Sequence, residues 1–250
     1  MYYTDEQTLE TIDRLRDDHE YYGKFGSQFL SNSSLGALLS NPREYGVKRE
    51  DNKAFAEGRY FHQCFLEPEK ALETLTVEVA SRNTKAYKQA IEEHGKTVIL
   101  LQKEKDHMDE LIATMRGNVE FFDGIYAEGN KYEVPAISKI KGHWFKGKAD
   151  IICANQIIDL KTTSNIHDFK WSARKYNYDS QCYIYQMLFG KPLVFYVIDK
   201  TNFLMGIYKP SEEFVRGGEE KVKRALEVYE MFFSENSTHD INNFFIEETL

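Results

Sequence analysis

Lys146-Gly-Lys-Ala-Asp150-Ile-Ile-Cys-Ala-Asn-Gln156-Ile-Ile-Asp159-Leu-Lys161-Thr-Thr163 is the stretch whose reading decides the fold. Two runs rich in β-branched residues, Gly147–Cys153 and Gln156–Lys161, flank Ala154-Asn155, which predicts two strands and a short connection. If that connection is a two-residue hairpin, Asp150 falls opposite Asp159 on one face of the sheet; a longer loop shifts the opposition by a residue or two. Two carboxylates with Cβ atoms roughly 4.5–5.5 Å apart repel each other, and a divalent cation between them removes the repulsion. Lys161 lies two residues beyond Asp159 and shares its face, whereas Leu160 points into the opposite layer.

Asp, a short gap, then Asp-x-Lys on the adjoining strand resembles the signature of the PD-(D/E)xK nucleases. The copy here is similar to the branch that holds lambda exonuclease, RecB-type nuclease domains and the phage exonuclease VIII (RecE-type) proteins. The resemblance implies an α/β fold, with a mixed central sheet flanked by helices and extra helices at the N-terminus. It also implies one nuclease domain over residues 1–250. Within it, residues 1–128 form a mainly helical part, 129–210 the catalytic core, and 211–250 a C-terminal helix and tail.

Composition sets few limits. The chain has 250 residues, 42% of them hydrophobic and 29% charged, as in an ordinary globular protein. No apolar run reaches the length of a membrane span, and the N-terminus lacks the basic and apolar regions of a signal peptide. Cys64, Cys153 and Cys182 are far apart, which predicts buried thiols in a reducing cytoplasm and no iron–sulfur cluster. The net charge of −8 works against non-specific DNA binding, which is carried by Lys and Arg on phosphates. Metal bound to the active-site carboxylates and cations gathered in one groove would offset it, so composition neither supports nor excludes DNA.

Around the central stretch the expected elements follow from periodicity. Residues 5–22 carry Leu9, Ile12 and Leu15 at helical spacing. Ser33 or Ser34 is expected to cap a short helix bearing Leu35, Leu38 and Leu39, which Asn41-Pro42 ends. Residues 52–66 predict a helix with Phe55, Phe61, Phe65 and Leu66 on its apolar face. Gly58 and His62 share another face, and a helix-interior glycine, costing about 1 kcal/mol relative to alanine, predicts close approach of something large. Residues 74–80 and 97–101 read as strands, and 84–94, 102–116 and 118–126 as helices, with His94 and His107 at the surface. Residues 131–138 should be a strand placed at an edge or bulge by Pro135. Then come a basic, aromatic segment over 168–175, a helix over 178–189, strands 193–199 and 203–208, a long amphipathic helix over 212–233, and a polar tail over 236–250 in which Phe244, Phe245 and Ile246 need cover.

The resemblance adds roles. A Gly-x-x-x-His helix (Gly58, His62) upstream of the core and a Gln-x-x-x-Tyr helix (Gln181, Tyr185) after it are typical of this branch. It implies that His62, Asp150, Asp159 and the Leu160 carbonyl hold Mg²⁺ or Mn²⁺, with Glu133 a third acid. Lys161 would act on the attacking water with its pKa lowered, and Gln181 and Tyr185 would hold water, phosphate or backbone. The segment Ser31-x-Ser-x-Leu35…Pro42-x-x-Tyr45 resembles one that enters the substrate groove. Ser34, Arg43, Lys148, Thr162, Lys170, Arg174 and Lys175 are therefore candidate DNA contacts. The activity implied is 5′→3′ exonuclease action on duplex ends in phage-type recombination, in the cytoplasm of an infected or prophage-bearing bacterium. A homo-oligomeric ring (trimer or tetramer) and a single-strand annealing protein as partner come with it. A structure-selective or single-strand DNA endonuclease of the same fold and a non-catalytic nucleic-acid-binding module are the alternatives.

Overall fold

The computed structural model describes residues 4–48 and 50–246. The expectations for residues 1–3 and for the last four residues of the tail lie outside that range. Two short helices, α1 (Asp5–Arg14) and α2 (Asp18–Tyr22), lead to α3 (Asn32–Ser40), α4 (Lys53–Leu66) and α5 (Pro68–Leu72). A two-stranded parallel pair, β1 (Thr76–Val77) and β2 (Leu100–Leu101), encloses α6 (Lys85–His94), and α7 (Gln102–Gly117) and α8 (Val119–Tyr126) follow. Next come β3 (Lys131–Ile140), β4 (His143–Ile152), β5 (Ile157–Thr163), α9 (Phe169–Lys175), α10 (Tyr178–Phe189), β6 (Leu193–Asp199), β7 (Met205–Tyr208) and α11 (Glu212–Phe232).

Strands β3 to β7 form one sheet in chain order, antiparallel except for the parallel pair β5–β6, which the α9–α10 crossover makes possible. All seven residues of β6 are buried, as expected of a strand covered on both faces. Leu193, Phe195 and Val197 face a layer made with α3, α10 and α11, whereas Val194, Tyr196 and Ile198 face α4, α7 and α8. A smaller cluster, Leu15, Tyr21, Phe29 and Ile137, fastens the N-terminal helices to the edge strand β3. Packing of α10 on α11 requires glycine at 218, where a Cβ would stand 2.0 Å from the Asp179 carbonyl oxygen. The fold is restriction-endonuclease-like: a five-stranded mixed sheet with helices on both faces. Among the described residues no helix is long and apolar enough to cross a membrane.

Several local expectations change. Ser31, not Ser33 or Ser34, caps α3, and Ser34 completes the capping box from the third helical position. Residues 74–80 and 97–101 pair over only two residues each. Phe55 is 48% exposed and Leu9 68% exposed, so neither joins the core. Phe203 precedes its strand in a left-handed conformation. Cys64 and Cys153 are only partly buried. His107 is half-buried, its Nε2 2.7 Å from the Lys200 carbonyl oxygen. Among the described residues nothing lies within 4 Å of a Cβ built on Gly58, so no close approach there requires glycine.

Candidate active site

Strand β4 is regular up to one residue. Its pairing with β3 runs through Val134↔Ala149 and Tyr132↔Ile151, which sets Glu133 across from Asp150. There Glu133 takes a φ of 49°, a conformation uncommon for any residue with a Cβ. The alternation of β4 slips at the same point: Phe145 and Ala149 pack in one layer, Ile151 in the other. The β4–β5 ladder has the register expected of the two-residue connection, Ile151↔Ile158 and Ile152↔Ile157. At the next rung the Asp150 side chain takes over, its Oδ2 accepting the Leu160 N–H at 2.8 Å. A residue's N–H and C=O leave a strand on the same edge, so the Leu160 carbonyl faces this gap as well.

Into the gap come side chains from two directions. His62 of α4 places Nδ1 3.3 Å from Asp150 Oδ2, and donor atoms of His62, Glu133 and Asp150 lie within 4.8 Å of one another. Asp159 is deeper, 2% exposed. Its Oδ1 accepts from Gln181 Nε2 of α10 at 2.6 Å, and its Oδ2 lies against the Lys161 ammonium without a hydrogen bond of ordinary geometry. Lys161 Nζ is also 4.9 Å from the centre of the Tyr178 ring. Thus the set expected to share one cation divides in two. His62, Glu133 and Asp150 converge, while Asp159, Lys161 and Gln181 form a neighbouring group joined to them through Leu160.

The charges follow this division. Burial and the adjacent Asp150 push the Glu133 carboxyl up to about 8. Asp150 keeps its charge: burial opposes it, but His62, Lys161 and the Leu160 N–H hold it below the ordinary range. Burial disfavours charge on His62, yet Asp150 outweighs this and raises it. Burial raises Asp159 despite Lys161, and Asp159 raises Lys161 well above an ordinary lysine against the cost of burial. Without metal, Lys161 is a cation with Asp159 as its contact; the lowered pKa is the expectation beside a bound divalent ion.

These donors fit a divalent metal. A carboxyl pushed up by burial and by a second carboxylate beside it, and a buried carboxylate oxygen short of hydrogen bonds, are what a cation would relieve. Carboxylate and carbonyl oxygens suit Mg²⁺, and the imidazole admits Mn²⁺.

The Tyr185 hydroxyl is buried and donates to the Lys148 carbonyl at 2.9 Å, so it props β4 within reach of the Asp159 and Asp150 charges. Lys148 is itself buried, its ammonium on Asp18 of α2 and 4.0 Å from Glu133 Oε2, at the edge of the site. Ser34 Oγ accepts the Ser31 N–H and donates to the Ser31 carbonyl, both at 2.7 Å. Arg43 donates to the Asn242 and Phe244 carbonyls, tying down the tail. Thr162 is half-buried, and Lys170, Arg174 and Lys175 stand exposed on α9. Sequence reasoning missed Asp18 and Tyr178. Asp18 gave no signal, because its contact with Lys148 spans 130 residues. Tyr178 could have been found one helical turn before Gln181.

The family profile of the "PDDEXK-like domain of unknown function (DUF3799)" matches residues 32–239. Among solved structures, a "Putative exonuclease" from Eubacterium rectale is similar over 100% of this chain and 96% of its own, at 18% identity and a TM-score of 0.59. That likeness is one of fold. A phage related exonuclease from Haemophilus somnus 129PT covers 81% of this chain and 94% of its own, at 15% identity, but its TM-score of 0.35 carries no argument. Among curated protein sequences none matches. The profile spans every residue of the site, from His62 to Gln181, and well over half of the sequence. The chain belongs to this PDDEXK-like family.

Proposed function

We propose that the protein is a metal-dependent deoxyribonuclease that hydrolyses phosphodiester bonds, acting 5′→3′ from duplex ends. One observation carries the reading: His62, Glu133 and Asp150 converge where β4 slips, with the Asp159–Lys161 pair adjoining them through Leu160. A divalent cation held by His62, Glu133, Asp150 and the Leu160 carbonyl would supply a polarised phosphate and an acidified water. Asp150 remains ionised without it, so the site offers a formed anionic pole. Asp159 anchors Lys161, and Gln181 fixes the carboxylate that does so. Held as a cation, Lys161 serves by donating to the attacking water or a non-bridging oxygen and by stabilising charge as the phosphorus becomes five-coordinate. Lys170, Arg174 and Lys175 supply phosphate contacts without sequence information. The same resemblance brings a ring-shaped homo-oligomer and a single-strand annealing partner in phage-type recombination.

The test is digestion of linear and covalently closed circular duplex DNA with Mg²⁺, Mn²⁺ or chelator, beside Lys161→Ala. The expected result is loss of the linear form alone, as mononucleotides from the 5′-labelled end, with Lys161→Ala slower by at least about a hundredfold. Cutting of the circle makes the protein an endonuclease. Binding without cleavage makes it a non-catalytic module.

A further inference from the structure

Helix α9 lies between Lys161 of β5 and Gln181 of α10, beginning eight residues after the one and ending six before the other, and supplies no side chain to the metal-binding set. Phe169 and Ala173 face the core. The opposite face carries Lys170 with Arg174 and Trp171 with Lys175, each pair one turn apart. Trp171 is 66% exposed, and Tyr176, which ends the helix, is 59% exposed. Lys170 Nζ lies 5.0 Å from the Trp171 ring and Lys175 Nζ 5.9 Å from the Tyr176 ring. Beside the helix opens a cleft of about 510 Å³, between the end of α3 and α11, lined by Ser40, Arg174, Lys175, Lys221 and Arg224. Lys221 is partnered by Asp179. Among the described residues, no ion pair neutralises Lys170, Arg174, Lys175 or Arg224. On a chain of net charge −8, this concentration of unneutralised cations runs against the average.

Cations alone would suit any polyanion. Two exposed rings interleaved with them select a chain that offers phosphates and flat faces together, which a duplex keeps stacked inside. We propose that the outer face of α9 and the adjoining cleft form a track for single-stranded DNA, with bases stacking on Trp171 and Tyr176 and phosphates meeting Lys175, Arg174 and Arg224. The proposal rests on DNA being the substrate. The strand bound there is the one left unpaired as its complement is degraded. Its route passes Asn177, which lines the cleft, and Tyr178, which borders Lys161.

The experiment measures binding of a labelled oligo-dT and of a blunt duplex by fluorescence anisotropy, in chelator so that no hydrolysis intervenes. Variants are Trp171→Ala/Tyr176→Ala and Arg224→Ala, with folding checked by circular dichroism. The rings are exposed, so folding should survive. The expected result is a loss of oligo-dT affinity of about tenfold for each ring removed, with duplex affinity changed less than twofold. For Arg224→Ala the salt slope on oligo-dT should fall by about 0.7. Of the two tryptophans, Trp144 packs against the N-terminal cluster, so oligo-dT should quench fluorescence in the wild type and not in Trp171→Phe. Unchanged oligo-dT affinity in the double variant, or an equal loss on duplex, overturns the track. Wild-type cleavage of duplex, assayed separately with metal, reports on the nuclease reading alone. The two can therefore fail independently.

Discussion

Glu133 gives the site its most measurable liability. In the absence of metal its carboxyl sits beside ionised Asp150 and is raised from an ordinary value of 4.5 to about 8. An acid whose folded value is raised costs nothing where both states are protonated. Its cost grows as pH rises from the unfolded to the folded value, and is constant above. Each pH unit in that window is worth about 1.4 kcal/mol, so at pH 7 the metal-free protein loses at most about 3 kcal/mol, and near pH 8 and above close to 5. Glu133→Gln keeps the shape, the backbone conformation and one oxygen acceptor while removing the charge. In chelator at pH 7 it should melt about 6–12 °C above the wild type, at 2–4 °C per kcal/mol for a chain of this size. The difference should vanish towards pH 4.5 and widen towards pH 8. Addition of Mg²⁺ or Mn²⁺ should reverse the order, because a ligand that binds only the native state stabilises by its affinity, and the glutamine is the weaker ligand. The assay is thermal unfolding of both proteins across pH 4.5–8.5, with chelator and with each metal. A variant that melts at or below the wild type in chelator, or an advantage independent of pH, would refute the argument that these acids form a frustrated cation site.

Three further outcomes follow from single contacts. Glu104, buried on α7, takes both Arg82 Nη atoms at 2.7 and 2.6 Å; burial opposes its charge, but Arg82 and the Leu101 N–H lower it to about 2. Arg82→Ala leaves Lys53 Nζ 3.3 Å from Glu104 Oε1, so it should cost about 1–3 kcal/mol in urea unfolding at pH 7, a loss that shrinks as pH falls from 4.5 towards 2, because the stability contributed by a depressed acid disappears there. Gly218→Ala, which drives a Cβ into the Asp179 carbonyl, should cost at least about 1–3 kcal/mol, and an unchanged melting temperature would show that α10 and α11 can part freely. Gln181→Leu removes the donor to Asp159 Oδ1. It should slow cleavage while leaving DNA affinity in chelator within a factor of two, and a fall in affinity instead would place Gln181 against the substrate.

What the sequence made legible was local in kind. Ile157, Ile158 and Leu160 alternate between two layers, and the two-residue connection at Ala154-Asn155 set the pairing of Ile151 with Ile158 and of Ile152 with Ile157, so the register could be read from spacing. Helix α10 and strand β6 kept their expected limits because each is bounded by its own punctuation: Asn177 and Gly190 in left-handed conformation around the helix, and Pro192 before the strand. The strands expected over 74–80 and 97–101 shrank to two residues. Their alternating pattern needed a partner, and only a two-residue parallel pairing was available.

The partition of the site was illegible for a different reason. Spacing places side chains on faces, but which acid holds a proton depends on the few ångströms around it. Nothing in Lys-Tyr-Glu-Val-Pro announces that Glu133 adopts φ 49° and turns towards Asp150, and nothing in Asp-Leu-Lys announces that Asp159 claims Lys161 before a metal can. The first result comes from one event, the slip of β4 at Asp150. It frees the Leu160 N–H for a carboxylate, opens the edge between β4 and β5, and lets α4 bring His62 in from the far layer. A regular strand would have buried Asp150 against a paired neighbour on one face only. The irregularity gives the acids a shared space, and the cost of holding them together without a cation is the quantity the Glu133→Gln melting curves would measure.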